Sequence, residues 1–272
     1  MLTHFQQALT LEKPLQIVGA INAYTAMLAK RAEFHAIYLS GAGVANASFG
    51  VSDAGITTLE NVLEDARRIT HAVDLPLLVD IDTGWENIAK TIKEMIKANV
   101  SAVHIEDQTK NKRCGHLEGK TIVSISTMVD RIKAAVDARN NPNFVIMART
   151  DALANEGLEA TLDRIQHYVA AGADMIFFEG ARKLSEYQAL TQICKVPVLA
   201  NITEFGVTPL FSVSELKNVG VSLILYPLSA FRTMSQAAMN TYQTIRKTGT
   251  QKTLIDSMQT RDELYNVLNY DS

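Results

Sequence analysis

The sequence predicts an α/β protein, a (β/α)8 TIM-type barrel in one domain over residues 1–272 with a C-terminal helical segment. Three observations predict it. Short apolar, β-rich runs alternate with longer helix-period segments, and the alternation repeats eight times. Turn signals such as Ala171-Gly172-Ala173-Asp174 and Asn218-Val219-Gly220 stand between a helix and the next strand. No Gly/Ser/Pro-rich linker, low-complexity tract or repeat divides the chain. An open doubly wound sheet is the competing arrangement.

In order, the first apolar run is Leu15–Gly19 and the second Ala36–Leu39, which delivers Ser40. The segment Gly41–Gly55 holds four glycines and little charge. Without Gly-Lys-Ser/Thr or GxGxxG it is no phosphate cradle, and it reads as a mobile loop near the barrel mouth. A helix over Thr58–Val73 leads to the strand Pro76–Ile81, at whose end stand Asp80 and Asp82. A helix over Glu86–Ala98 precedes Ala102–Ile105, which ends at Glu106. The helix Ser126–Arg139 precedes Phe144–Ala148, followed by Arg149 and Asp151. The helix Leu158–Ala170 precedes Met175–Phe178 and then Glu179. The last strands are Val196–Ala200, with Asn201 and Thr203 beyond it, and Ser222–Leu225, with Ser229 beyond it. A barrel gathers function at the C-terminal ends of its strands, and these polar residues stand there. Loops are polar in any protein, so the combination carries more weight than any member.

Composition narrows the class. Hydrophobic residues make up 47% and charged residues 20%, ordinary for a soluble enzyme. A net charge of −3, with no basic cluster, argues against nucleic acid or an anionic membrane as partner. Cys114 and Cys194 form no disulfide framework, and the N-terminus lacks a signal-peptide apolar region, so a cytoplasmic location is expected. No apolar run approaches the roughly 20 residues that span a bilayer.

The densest chemistry lies in His104-Ile105-Glu106-Asp107-Gln108 and Lys112-Arg113-Cys114-Gly115-His116. A cysteine among basic groups has the neighbourhood of a reactive thiol rather than a structural one. The upstream carboxylates suit a hard cation such as Mg²⁺. Residues i and i+2 of a strand share a side, which would aim Asp80 and Asp82 at the barrel axis, and likewise His104 and Glu106. Two carboxylates so close repel unless a divalent cation joins them; the alternative is a helix cap plus a lysine pair. The loop Asp107–Val123 exceeds the roughly 2–6 residues of an ordinary βα connection and reads as a lid. Cys194 reads as a packed, inert thiol, and Trp85 either packs over the site or anchors its loop.

At these strings the chain resembles the isocitrate lyase and phosphoenolpyruvate mutase superfamily, through Lys112-Arg113-Cys114-Gly115-His116. Within it, Tyr38-Leu39-Ser40-Gly41, Leu77-Leu78-Val79-Asp80, Met147-Ala148-Arg149-Thr150-Asp151, Asn201-Ile202-Thr203-Glu204-Phe205-Gly206 and Tyr226-Pro227-Leu228-Ser229-Ala230-Phe231-Arg232 are similar to those of the 2-methylisocitrate lyases. The resemblance runs from Pro14 to Tyr270. It implies a (β/α)8 barrel whose C-terminal helix swaps between paired subunits of a homotetramer. It also implies Mg²⁺-dependent cleavage of a tricarboxylate, 2-methylisocitrate, to pyruvate and succinate in propionate catabolism.

By the same resemblance Asp80 and Asp82 hold Mg²⁺, with Glu106 reaching it through water. Ser40, Gly41, Ala42, Cys114, Gly115, His116, Arg149, Glu179, Asn201, Thr203 and Arg232 would bind substrate. Cys114 would supply the proton that quenches the succinate carbanion, His116 and Lys112 its charge partners, and Tyr38 is the candidate base. The chain departs from the pattern in three places. Ala42 replaces a usual glycine, the Thr83–Asn87 loop is short, and the chain stops at Ser272 before a tail that many relatives carry. A lyase acting on isocitrate or 2,3-dimethylmalate, and a non-catalytic carboxylate binder, stand as alternatives.

Overall fold

The computed structural model describes residues 5–109 and 119–270. Eight parallel strands close into a barrel in sequence order: β1 (Leu15–Gly19), β2 (Ala36–Leu39), β3 (Leu77–Asp80), β4 (Ala102–Glu106), β5 (Val145–Thr150), β6 (Met175–Phe178), β7 (Val198–Asn201) and β8 (Leu223–Tyr226). Each end falls within two residues of its predicted run. Ile17 pairs with Ala36 on one side and Leu225 on the other, which closes the ring.

Both faces of these strands are buried, so the apolar runs are continuous while the side chains still alternate. Leu15, Ile17, Ala36, Leu78, Ala102, Val145, Met147, Phe177, Leu199 and Leu225 point inward into one cluster. Ile37, Leu39, Val79, Val103, Ile105, Ile146, Ile176 and Phe178 point outward into a second, shared with the helices. Helix α1 (Phe5–Leu11) adds Phe5 and Ala8 to the inner cluster.

The surrounding helices are α2 (Ala23–Arg31), α3 (Gly41–Gly43), α4 (Leu59–Ala72), α5 (Ile88–Lys97), α6 (Ile125–Ala138), α7 (Leu153–Ala170), α8 (Leu184–Ile193), α9 (Val213–Asn218), α10 (Ser229–Thr248) and α11 (Arg261–Leu268). Thr58, Asn87 and Ser124 accept the backbone N–H three residues on and so start α4, α5 and α6. Helix α7 begins five residues before the predicted Leu158. Gly157, at φ +80°, interrupts its helical backbone, and that break masks the period upstream.

The segment after Ser40 corrects the expectation of a loop. Helix α3 continues as a π-helical turn over Val44–Ser48, with Val44 and Ala45 buried. Beyond the barrel, α10 has no buried residue, and Met234, Met239, Tyr242 and Ile245 on it are exposed. Helix α11 returns to α2, where Arg31 donates to the Asn266 carbonyl at 3.3 Å. Among the described residues no helix is long and apolar enough to cross a membrane.

Candidate active site

Inward alternation carries past the apolar layers and becomes polar at the strand ends. On β4 the inward residues are Ala102, then His104 and Glu106; on β5 they are Val145 and Met147, then Arg149. His104 stacks on Tyr38 with ring centroids 5.7 Å apart and meets Phe177 at 4.9 Å. Arg149 lies over the other side of the floor, its guanidinium 4.9 Å from the Phe177 ring centre.

Asp80 ends β3 and is fully engaged. One carboxylate oxygen accepts from the Gly41 N–H at 3.1 Å, the other from the Asp82 N–H at 3.0 Å. His104 Nε2 lies 3.7 Å from Asp80 and 3.0 Å from the Tyr38 hydroxyl. Strand alternation is not what pairs Asp80 with Asp82, because Asp82 lies beyond the strand at φ +49°. The turn pairs them, with Asp80 holding the Asp82 amide as aspartates do in tight turns. Asn and Asp tolerate that left-handed backbone better than other side chains.

Both carboxylates then converge on Gly41. A Cβ at that position would stand 3.1 Å from Asp80 Oδ2 and 3.3 Å from Asp82 Oδ1. Glycine thus keeps open the space the two carboxylates face. Among the described residues no set of three or more His, Cys, Asp or Glu is arranged to hold a metal. Mg²⁺ needs no such cage, since it is commonly held by one or two carboxylates and keeps several waters. The donor set and the open cradle fit it.

Glu106 faces Arg149, its Oε2 3.4 Å from Nε. Arg149 also pairs with Asp151 at 2.9 and 3.1 Å and with Glu179 at 3.3 Å. Burial opposes the Arg149 charge, but Asp151, Glu106 and Glu179 outweigh it and raise the pKa well above its usual value. Burial pushes the Asp151 carboxyl up, yet Arg149 and then Lys120, whose Nζ is 3.4 Å away, hold it below the usual carboxylate range. Asn201 donates to Glu179 at 3.1 Å. Burial, then the Asp80 charge, push the Tyr38 phenol well above its usual value, with Arg149 and a hydrogen bond to Ser40 pulling back.

Tyr38, Ser40, Gly41, Asp80, Asp82, Glu106, Arg149, Glu179, Asn201 and Thr203 are therefore all buried at the C-terminal strand ends, with Ala42 half-buried beside Gly41. Arg232 is not brought among them. It lies on α10, half-exposed, 3.8 Å from Glu204 and over the Phe205 ring at 5.4 Å. Lys112, Cys114, Gly115 and His116 lie outside the described residues. The flanks of their loop are pinned, not free: Thr109 donates to the Thr121 carbonyl at 2.9 Å and Val123 to that of Asp107 at 2.8 Å. Trp85 anchors its loop through Nε1 to the Thr57 carbonyl at 2.8 Å.

Two buried groups, Phe177 and Lys120, were not singled out from sequence for a role, and a third, Asp107, was read only with Glu106 as a carboxylate suited to a cation. Phe177 continues an apolar run and carries no signal of its own. Lys120 sits in an unremarkable Glu118-Gly119-Lys120-Thr121. For Asp107 the cation reading is corrected: alternation turns it outward, away from the cradle, and its two oxygens are taken by Thr150, Tyr168 and the Asp151 amide.

A family model described as phosphoenolpyruvate phosphomutase matches residues 5–246. The chain belongs to this family. A 2-methylisocitrate lyase of Salmonella typhimurium is 60% identical over 270 residues, covering 98% of this chain and 92% of the relative. Among solved structures, a 2,3-dimethylmalate lyase of the same superfamily matches with a TM-score of 0.89 and 33% identity, covering 96% of this chain and 89% of its own. A phosphonopyruvate hydrolase complexed with oxalate and Mg²⁺ matches with a TM-score of 0.84 and 28% identity, covering 96% and 92%. Family members are thus enzymes acting on small organic acids, on the barrel described here.

Proposed function

We propose that the protein is a Mg²⁺-dependent carbon–carbon lyase that cleaves 2-methylisocitrate to pyruvate and succinate. The observation that carries this reading is the cradle of Asp80, Asp82 and Gly41 beside Arg149, in a chain so similar to a 2-methylisocitrate lyase. Asp80 and Asp82 would hold the ion, with Glu106 as its outer partner. When bound, Mg²⁺ acts as a Lewis acid toward the substrate's oxygens.

The chain's own residues do the rest. Arg149 stays charged throughout and offers a planar fork to a substrate carboxylate. Ser40, Gly41, Ala42, Asn201 and Thr203 line the approach, Glu179 holds Arg149 and Asn201, and Gly115 completes the substrate contacts. Cleavage places a carbanion beside a carboxylate on the succinate half. Lys112 and His116 supply positive charge to it, and Cys114 the proton. Tyr38 is the base for the hydroxyl proton. Burial and the Asp80 charge raise its pKa, which opposes that role, and a cation held by Asp80 would offset the Asp80 contribution.

Pairing of subunits belongs to the same reading. The 20-residue helix α10 has no fully buried residue and displays Met234, Met239, Tyr242 and Ile245. Such a face suits exchange between the paired subunits of a homotetramer. The structural likeness to a 2,3-dimethylmalate lyase favours that diacid as the second substrate to test. Product formation from 2-methylisocitrate, isocitrate and 2,3-dimethylmalate, with Mg²⁺ and with EDTA, decides. The first should be cleaved fastest and only with Mg²⁺; absent or merely equal activity on it overturns the assignment.

A further inference from the structure

Outside the carboxylate cradle, a buried hydrogen-bond chain centres on Asp107, a residue with no exposed surface. Its Oδ2 accepts from Thr150 Oγ1 at 2.6 Å and from the Tyr168 hydroxyl at 2.9 Å, and its Oδ1 accepts from the Asp151 N–H at 2.9 Å. The Tyr168 oxygen accepts in turn from Arg164 at 3.2 Å. Arg164 is clamped by both oxygens of Glu156 at 2.6 Å and donates to the Val123 carbonyl at 2.9 Å. On either side of Asp107, Arg131 holds the carbonyls of Glu106 and Gln108 at 2.9 and 2.8 Å.

We propose that Asp107 is a positioning residue for Arg149. The identity of the substrate rests on the lyase reading above; the geometry does not. Asp151 is the partner that grips Arg149 through two parallel hydrogen bonds, so the aim of the guanidinium follows the backbone of Thr150 and Asp151. That backbone is fastened to β4 by Asp107 through the Thr150 hydroxyl and the Asp151 amide. All three donors point at Asp107, an arrangement only an acceptor-only carboxylate satisfies without rearrangement. An amide keeps the shape but turns an NH₂ toward the Thr150 and Tyr168 donors. The strand end must then shift, and Arg149 with it.

The test compares Asp107→Asn, Thr150→Val and Tyr168→Phe with Leu216→Ala, a core truncation in α9 remote from the chain. Each variant is measured for melting temperature, for kcat and KM on 2-methylisocitrate, and for succinate affinity with Mg²⁺ present. Misplacement of a positioned group by about 1 Å can cost ~10²-fold, so Asp107→Asn should lose at least ~30-fold in kcat/KM and ~10-fold in succinate affinity. Thr150→Val and Tyr168→Phe should lose less, in the same direction. Leu216→Ala, at equal or greater loss of melting temperature, should keep kcat/KM within about twofold, since its defect is confined to packing. Wild-type succinate affinity and KM in Asp107→Asn, or an equal loss in Leu216→Ala, overturns the proposal. Should the wild type not cleave 2-methylisocitrate, only the substrate assignment falls. A crystal structure of Asp107→Asn then decides: a displaced Arg149 guanidinium supports the positioning role, and one left in place refutes it.

Discussion

Below the level of Tyr38 and His104 the barrel interior is filled by Leu, Ile, Val and Met side chains, with Phe5 added from α1. Above it, among the described residues, stand five inward-facing buried carboxylates, Asp80, Asp82, Glu106, Asp151 and Glu179, against two buried cations, Arg149 and Lys120. One strand geometry produces both halves, and only the residue types differ. The lower half gains free energy from every apolar atom it removes from water. The upper half pays desolvation for each charge and keeps a surplus of one sign. It persists because the lower half and the outer shell hold it in place. Like charges so held are what a divalent cation and a carboxylate-binding arginine make use of.

The sharpest way to break this comparison is to neutralise the cradle. Asp82→Asn should lower turnover at least ~10³-fold, the scale of several kcal/mol of charge stabilisation, and raise the Mg²⁺ requirement. Without Mg²⁺ its melting temperature should equal or exceed that of the wild type, because a repelling charge is gone. Asparagine is the right replacement: at φ +49° alanine would add backbone strain to the loss of charge. Unchanged turnover and Mg²⁺ dependence would remove the metal assignment.

The reverse behaviour is expected at the other end of the barrel. Phe5→Ala takes a wholly buried ring from the inner cluster and should cost about 3 kcal/mol of unfolding free energy in denaturant titrations. Turnover well below the melting temperature should stay within about twofold. A Phe5→Ala protein that is as stable as wild type, or folded but inactive, would show that the two halves are not separable in this way.

A third effect belongs to the Cys114 loop, which follows β4 in the sequence. Cys114→Ser should reduce turnover by ~10²-fold, the lower range for loss of a general acid, while succinate still binds. A covalent adduct trapped on Cys114 during turnover would replace the proton-donor role with a nucleophilic one.

Strand positions were legible because a buried parallel strand writes itself as an apolar run, whatever surrounds it. The ring of polar strand ends was legible for the same reason, since alternation carries it. The site was less so where backbone turns decide. The rule for i and i+2 selected Asp80 and Asp82, but a turn at Asp82 brings them together. The glycines after Ser40 suggested a loop, yet Gly41 and Gly43 lie in a short helix because the Ser40 carbonyl accepts from Val44 at 3.0 Å. Asp107 was grouped with Glu106 as a cation-suited carboxylate because its actual partners, Thr150 and Tyr168, lie 43 and 61 residues away, a distance no local pattern spans. Arg232 was placed with the substrate by motif, whereas its observed partners are Glu204 and Phe205 on the rim.

The smallest effect is expected at the second thiol, and it sharpens the contrast between a polar mouth and a packed shell. Cys194 follows α8, half-buried, with its Sγ 3.5 Å from the Val196 carbonyl it donates to. Burial pushes its pKa above the ordinary thiol value of 9.0, and the hydrogen bond to Val196 only partly offsets this. The thiolate is the reactive species, so a raised pKa keeps Cys194 protonated and unreactive at pH 7. In a Cys114→Ser background, alkylation by iodoacetamide should therefore be slow at pH 7, and its rate should still be climbing beyond pH 9. Cys194→Ser should leave turnover within about twofold, as expected for a thiol that only packs. Rapid labelling that levels off near neutral pH would mean that Cys194 is an activated thiol, and the shell would then hold chemistry that the barrel mouth does not.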